Sequence, residues 1–498
     1  MMHLHCVCPR RDFWHTVTMK SFFRLGILAA VFIYFVSGQN SPAQTNSSAE
    51  TTSTNIPEWM TQPLPLLDAL NVALQQNSTI LKAKNDLESS YGVVVQTRAI
   101  VMPQLTANGQ YKYSQPSAIE SIPFPGFDQA NQGWNAGFQL VQTIYDGKLI
   151  AAVKAARLTK EQALAQYRTT IQDTLLDTRL AYYDVLLALE QIRVHQESVV
   201  LLQKEVDDQE RRYKAGTVPK FNVLRAQVQL ANERPLLIRA QNDYRVSKNN
   251  LADRMGYNVP KDMWEDIPMQ LTDKLDADPY QVNLPAALEH ALETRTELVS
   301  RQKNEQLQQL NIVNAKAGYK PTVQVFAGYN WYSAQYADMG DPSATPPTPP
   351  LTPPLSLTET FKGYNVGGQV SWDLFDGLLT HGKVMQAKAE HEKSQNDVAE
   401  EGRQIELQVR TSYSDFVEAT EVLDSQTTVL AEAEESLREA QARFDAGTGT
   451  QLDVLDAETS LTQARAINAQ ALHDYDSTRA RMERAIGEDM VQSAAPNH

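Results

Sequence analysis

An internal repeat held in register over most of a chain narrows its possible folds more than composition can, because both copies must build the same unit. Here Ala69, Leu70, Ala73, Leu74 and Ile80 recur as Ala287, Leu288, Ala291, Leu292 and Leu298, an offset of 218 residues shared by Pro103 with Pro321 and Tyr111 with Tyr329. Trp134, Gly137, Asp146 and Gly147 match Tyr364, Gly367, Asp376 and Gly377 at an offset of 230. The 12 residues by which 230 exceeds 218 fall in a proline-rich tract around Pro346, Pro347, Pro349, Pro350, Pro353 and Pro354. Gly216, Thr217, Val223, Leu224 and Gly256 then match Gly447, Thr448, Val454, Leu455 and Gly487 at 231.

Each copy reads as helix, two strands, long helix, turn, helix. The first helix of each stops before Pro103 or Pro321, because the residue preceding a proline is driven from the helical region. Strands are expected at about 104–115, 133–145, 322–333 and 363–375. In the third, Val323, Val325, Ala327, Tyr329 and Trp331 alternate with residues that include Thr322, Gln324, Asn330 and Tyr332. That is the period of a strand with one apolar and one polar face. Segments of about ten residues with Trp and Tyr at their ends suit a tilted strand of a membrane barrel. Four strands per chain cannot close a barrel, and open edges in lipid leave backbone groups unsatisfied at several kcal/mol each, so several chains must pool their strands.

No proline interrupts the chain between Gly147 and Pro219. This predicts a helix of about 67 residues and roughly 100 Å, longer than any globular core is thick. Val185, Ile192, Val199, Val206 and Tyr213 fall every seventh residue along it, as do Phe416, Leu423, Leu430, Leu437 and Phe444 in the second copy. The returning helices carry Val223, Leu230, Leu237, Tyr244 and Leu251, and Val454, Leu461, Tyr475 and Met482 with a polar break at Asn468. Heptad spacing predicts two coiled-coil hairpins. Pro235 aligns with Ala466, so a bend is expected near Ala231 to Pro235 and a straight run near Thr462 to Ala466.

No apolar run beyond residue 38 reaches the ~20 residues of a spanning helix. Lys20 and Arg24 precede an apolar stretch from Leu25 to Val36 and then Ser37 and Gly38, so residues 1–38 read as a signal peptide, with Met19 as an alternative start. Both cysteines, Cys6 and Cys8, lie in it beside His3 and His5. The remainder then has no disulfide and no lipid-accepting Cys. Removing Arg10, Arg11, Lys20 and Arg24 with Asp12 takes a net +3 from the formal −15 and leaves about −18. An acidic chain of this kind repels nucleic acid. The remaining division is a tail and belt segment at 39–65, a first repeat at 66–256, a belt segment at 257–284, a second repeat at 285–487 and a tail at 488–498.

The signal peptide, the duplicated unit and the turn Ala446-Gly447-Thr448-Gly449-Thr450-Gln451-Leu452-Asp453-Val454-Leu455-Asp456-Ala457 together resemble the TolC-type outer-membrane efflux family, from Leu66 to Gly487. The resemblance implies a mainly α protein with a membrane β-barrel, three chains forming a twelve-stranded barrel above a twelve-helix tunnel. It implies an exit duct of a tripartite efflux pump or type I secretion system in the outer membrane of a Gram-negative bacterium, with the tunnel in the periplasm. Its partners would be a periplasmic adaptor, an inner-membrane pump and outer-membrane lipid, without cofactor, metal or nucleic acid. The proline-rich tract joins two strands on the side away from the helices and is expected outside the cell.

Each turn between a long helix and its returning helix also has a local reading. Gly216 and Gly447 supply the conformation that ends a helix, and Asn222 or Asp453 can cap the next one, with Asp453 either its N-cap or a first-turn residue. The resemblance places the carboxylates of Asp453 and Asp456 at the narrow periplasmic entrance, with Phe444 at the same constriction, although its heptad position also makes it core. It makes Gly216, Thr217, Asn222, Val223, Leu224, Gly447, Thr448, Val454 and Leu455 the tips that meet the adaptor. The first repeat departs from the pattern with Asn222 and Arg225, and Gly449 stands where some relatives carry an arginine that latches the entrance. A structural coiled-coil protein of the envelope would explain the heptads but not two amphipathic hairpins at equivalent positions. An enzyme is not expected: no nucleophile motif is present, and Gly447-Thr448-Gly449 follows a helix rather than a strand, so it is no phosphate loop.

Overall fold

The computed structural model describes residues 62–113, 132–259, 266–336 and 357–488. The expected signal peptide with its His/Cys cluster, the tail to residue 61, the proline-rich tract and residues 489–498 lie outside these segments. In chain order the elements are β1 (Pro63–Leu64), α1 (Leu66–Gln76), α2 (Ser78–Ala99), β2 (Gln104–Tyr113), β3 (Gln132–Tyr145), α3 (Leu149–Lys214) and α4 (Lys220–Arg254), then β4 (Gln270–Leu271), α5 (Leu284–Thr294), α6 (Thr296–Lys316), β5 (Thr322–Tyr336), β6 (Leu357–Ser371), α7 (Leu379–Asp445) and α8 (Gln451–Ile486). The long helices have 66 and 67 residues, as the proline-free runs predict.

The first helix of each repeat is two helices, not one. Asn77 (ψ 124°) and Arg295 (ψ 120°) leave the helical region and separate α1 from α2 and α5 from α6. Both positions do the same work. The Asn77 amide donates to the Arg254 carbonyl at 2.6 Å, and the Arg295 guanidinium donates to the Ala485 carbonyl at 3.1 Å. Asn77 and Arg295 are 218 apart and their acceptors 231 apart, so the repeat extends to its hydrogen bonds. These break points hold the ends of the returning helices, which close on Gly256 (φ +81°) and Gly487 (φ +91°). A Cβ on Gly256 would lie 2.5 Å from the Gln76 carbonyl oxygen and 2.6 Å from Asn77 Cα, both backbone atoms. At Gly487 the nearest atom is the Thr294 hydroxyl, which can rotate away. Gly256→Ala is therefore expected to lower the melting temperature clearly more than Gly487→Ala. Each carries about 1–3 kcal/mol of backbone strain, and only the first adds an unrelieved clash; equal melting temperatures in thermal denaturation would contradict this.

The hairpins have the expected apolar seams. Leu202, Val206, Ala226 and Leu230 form one cluster between α3 and α4, and Ala433, Leu437, Val454, Ala457, Leu461 and Ala464 another between α7 and α8. α4 runs through Pro235 as one helix, so the proline does not end it. Midway along α3 the two belt segments meet. β1 pairs in parallel with β4, Asp273 accepts from the Leu66 amide at the start of α1, and the buried Tyr182 hydroxyl donates to the Leu64 carbonyl at 2.9 Å.

The remaining strands form one antiparallel sheet in the order β2-β3-β5-β6. β6 begins at Leu357 and ends at Ser371, earlier at both ends than the 363–375 of the sequence reading. Its first residues pair with β5 out to Tyr336, and its end turns away where the Trp372 indole donates to the Tyr319 carbonyl. The register puts Leu105, Tyr111, Trp134, Phe138, Leu140, Val325, Tyr329, Trp331, Tyr364 and Val366 on one face and Gln104, Asn108, Gln110, Asn135, Gln139, Gln324, Asn330 and Asn365 on the other. The second face also holds Val141, Phe326, Tyr332 and Phe361, and the first Gln142 and Lys362. A four-stranded sheet mainly apolar on one face and mainly polar on the other suits the wall of a barrel with lipid outside and water within.

Candidate functional site at the hairpin tips

The two tips are built alike. α3 ends on Gly216 (φ +75°) and α7 on Gly447 (φ +74°). In each the next threonine closes the turn, its amide donating to the carbonyl of Arg212 or Arg443 at 2.9 Å. This left-handed closure is the one that glycine permits without steric cost.

The returning helices start differently. Thr450, not Asp453, is the N-cap of α8. Its hydroxyl accepts from the Asp453 amide, and the Asp453 carboxylate accepts from the Thr450 amide at 2.9 Å, a reciprocal capping box. These hydrogen bonds from Thr450 hold the Asp453 carboxyl below its ordinary range. Asn222 caps nothing: Pro219 occupies the N-cap of α4 without a side-chain bond, and Asn222 lies one turn in. Asp456 is exposed, one turn beyond Asp453 on α8, while Val454, Leu455, Ala457 and Glu458 between and beside them are buried.

Val223 and Val454 are buried inside their own hairpins. Leu455 inserts among Leu202, Val206, Ala226 and Leu230 of the first hairpin, whereas its counterpart Leu224 is 50% exposed. Phe444 packs beside the core of the second hairpin, and the Arg212 guanidinium covers its ring at 4.6 Å. Arg212 also reaches Asp445 at 3.2 Å. The buried Gln451 amide donates to Glu205 at 3.3 Å and to the Asn222 carbonyl at 3.2 Å. Arg212, Asp445, Gln451 and Glu205 thus tie tip to tip, and the sequence reading missed all four. A side chain at Gly449 would be tight: a Cβ there would lie 3.0 Å from Arg443 Cβ and 3.1 Å from the Phe444 nitrogen.

Above the tips the seam between the hairpins, α3 against α8, mixes apolar contacts, Leu201 beside the Leu461 cluster and Ala480 in the cluster of Tyr182 and Leu186, with polar ones. Thr462 donates to Ser198, Arg465 pairs with Glu197, and His473 bridges Asp184 and Asp474. Nearer the belt, Arg179 meets Glu483 at 2.6 Å with both side chains buried, and Arg484 reaches Asp173 and Glu297. Glu458 has a carboxylate oxygen without a partner, and burial, then the charge of Glu205, pushes its pKa up to about 7.

α4 shows what the single chain leaves open. Phe221, Leu224, Val228, Ala231, Pro235 and Ile238 recur at alternating three and four residues on its exposed side. The equivalent positions of α8, 231 further on, are Leu452, Leu455, Thr459, Thr462, Ala466 and Ala469, and they face α3 of the same chain. By the symmetry of the repeat, the open face of α4 lacks a long helix from a neighbouring chain. Sheet edges and helix edges are therefore left unpaired together, which is the geometry of a ring.

The sequence matches the model of the family described as "Outer membrane efflux protein" over residues 69–257 and 287–488, well over half of the chain. The chain belongs to this family. Outer membrane protein TolC of Escherichia coli strain K12 is 24% identical over 440 residues, covering 86% of this chain and 83% of that protein. The crystal structures of CusC superpose with a TM-score of 0.69 at 16% identity over 85% of this chain and 92% of that one. VceC of Vibrio cholerae gives 0.67 at 18% identity, over 85% and 96%. The duct is thus an outer-membrane channel, trimeric, with its helical tunnel in the periplasm, receiving cargo from an inner-membrane pump through a periplasmic adaptor. Among the described residues no helix is long and apolar enough to cross a membrane.

Proposed function

We propose that the duct is a conduit without catalytic chemistry whose periplasmic entrance is a carboxylate filter formed by Asp453 and Asp456. The observation that supports it most is the pattern of exposure at the start of α8: both carboxylates are exposed while their neighbours Val454, Leu455, Ala457 and Glu458 are buried. Trimer symmetry gathers six such groups at the tips, and rings of like charge at a constriction favour cations in a salt-dependent way. The two residues differ in what else they do. Asp453 holds the capping box, so its loss costs the helix start about 1 kcal/mol. Asp456 holds no such bond and is the cleaner probe. Phe444 acts behind the filter by fixing Arg212 and the two tips to one another. The exposed tip residues Gly216, Thr217, Leu224, Gly447 and Thr448 form the docking ends for the adaptor, while Asn222, Val223, Val454 and Leu455 shape them from within.

Reversal potentials in a salt gradient across planar bilayers test the filter. Asp456→Ala is expected to lower cation selectivity with no change in trimer stability, and Asp453→Ala to lower both. Wild-type selectivity in the Asp453→Ala, Asp456→Ala double variant would remove both residues from the entrance.

A further inference from the structure

Just above the tips, the side of α3 that meets α8 gathers an excess of oxygen acceptors. The Gln209 amide donates to Glu205 Oε1 at 2.9 Å, and the Gln451 amide, which also donates to the Asn222 carbonyl, reaches the same oxygen at 3.3 Å. Both carboxamides thereby turn their N–H groups to Glu205 and leave their carbonyl oxygens over. Gln209 Oε1, Gln451 Oε1 and Glu458 Oε2 are buried without a hydrogen-bond partner, on residues that are 0%, 5% and 4% exposed. A buried acceptor without a donor is costly, and three in one seam call for a guest that brings positive charge.

The four side chains converge. α3 runs toward the tips and α8 away from them, and a helical side chain leans toward the N-terminus of its own helix. Glu205 and Gln209 therefore lean up the seam and Glu458 leans down it. The contacts of Gln451 with Glu205 and of Thr462 with Ser198 place Glu458 between those two levels. Burial, and then the charge of Glu205, raise the Glu458 pKa, and no cation offsets them. Glu458 also borders a cavity of about 260 Å³ between α3, α4 and α8, lined by Ser198, Thr459 and Thr462 among others. The cavity has room for several waters at about 30 Å³ each. His195, the basic residue on its lining, is held by Glu233 at 2.7 Å.

The donor set decides the class of guest. Among the described residues no three His, Cys, Asp or Glu side chains are grouped to hold a metal, and here two carboxylates are completed by two carboxamides. Zinc and copper favour imidazole and thiolate, and this set has neither. Ca²⁺ takes about six to eight oxygens from carboxylates, amide carbonyls and water in a flexible shell, whereas Mg²⁺ demands a tight octahedron. We propose that Glu205, Gln209, Gln451 and Glu458 form a Ca²⁺ site that clamps the two hairpins of each chain together above the tips, with water from the cavity completing the shell. The site is formed within one chain by buried groups, apart from the exposed carboxylates of Asp453 and Asp456, so it does not rest on the entrance filter.

The test uses the full-length trimer in detergent, freed of divalent cations with chelator and carrying Asp453→Ala and Asp456→Ala so that the entrance cannot take up the probe. Titration with CaCl₂ in a calorimeter is expected to show three Ca²⁺ per trimer, and the trimer's dissociation temperature is expected to rise with Ca²⁺. Glu458→Gln and Glu205→Gln, each added to this background, are expected to weaken that binding by more than about tenfold, since each removes one of the two charges. The dissociation temperature of Glu458→Gln in chelator should be no lower than that of its parent, which shows that the seam still forms. Glu435→Gln, a substitution at an exposed carboxylate of α7 paired with Arg438, should leave the three sites in place. No Ca²⁺ uptake by the parent, or uptake that Glu205→Gln with Glu458→Gln leaves unchanged, would overturn the site and leave the seam to water and protons. The entrance carboxylates are absent throughout, so failure of the filter and failure of the clamp are read separately.

Discussion

Glu483→Ala is expected to be among the most destabilising single substitutions in the helical tunnel, at about 3–5 kcal/mol per chain, because it removes the carboxylate from a buried ion pair while leaving the cations in place. Its two oxygens are divided between Arg179 at 2.6 Å and Arg479 at 2.9 Å, and its own side chain is 1% exposed. Arg179 is 3% exposed and also donates to the Tyr183 hydroxyl at 2.8 Å, so it cannot turn to water when Glu483 is lost. The pair joins α3 to α8, and the loss should be felt as separation of the two hairpins near the belt. The temperature at which the detergent-solubilised trimer dissociates is the measurement. Arg179→Met with Glu483→Leu should recover most of the loss, since an apolar pair of similar volume desolvates nothing. A single variant that melts with the wild type would show that water reaches Arg179 and that this seam is not dry.

The elements that sequence could reveal are those whose signal is local or periodic. The repeat fixed the order of elements, the proline-free runs fixed the long helices, and alternation from Thr322 to Tyr332 assigned both faces of β5 correctly. The split at Asn77 and Arg295 was invisible, because the carbonyls that hold it open, at Arg254 and Ala485, are distant in sequence. The seam between the hairpins was hidden for another reason. A helix in a ring has two neighbours, and apolar periodicity marks only the apolar contact. α3 meets α4 through leucine and valine but meets α8 largely through Ser198, Glu197, Asp184 and Arg179, residues that read as solvated surface, with Leu455 as an apolar contact at the tip. The exposed stripe of α4 was legible in principle, since Phe221, Leu224, Val228, Ala231 and Ile238 keep heptad spacing. It lay beside a stronger seam and passed as surface. At the tip the Thr450 to Asp453 spacing is that of a capping box, and it was the threonine that the reading overlooked.

The same polar seam sets how stability depends on pH, and both limbs of the curve can be assigned. The Glu458 carboxyl, raised by burial and by Glu205, and the Asp476 carboxyl, raised by burial against the pull of Arg479, each titrate near about 7 in the folded chain. A carboxyl that holds its proton more tightly when folded favours the folded state at low pH, and that advantage drains as pH rises from its unfolded value through about 7. For Glu458, moving from 4.5 to about 7 corresponds to about 3 kcal/mol per chain. His473 acts in the same direction. Burial disfavours its charged ring, but the hydrogen bonds to Asp184 and Asp474 outweigh this and raise its pKa, so its contribution is whole below 6.5 and lost as pH climbs through the folded value. The acid limb belongs to Glu297. Although burial opposes its charge, Arg295 and Arg484 lower its pKa to about 2, so the stability it adds is present above 4.5 and lost as pH falls toward 2. Dissociation temperature should therefore be highest near about pH 4.5 and fall on both sides. Glu458→Gln, which keeps the shape and cannot ionise, should hold its dissociation temperature better than wild type between pH 6 and 8 while following it below pH 4.5. Parallel wild-type and Glu458→Gln curves across the alkaline limb would mean that the Glu458 carboxylate is hydrated in the trimer and that the alkaline loss arises elsewhere.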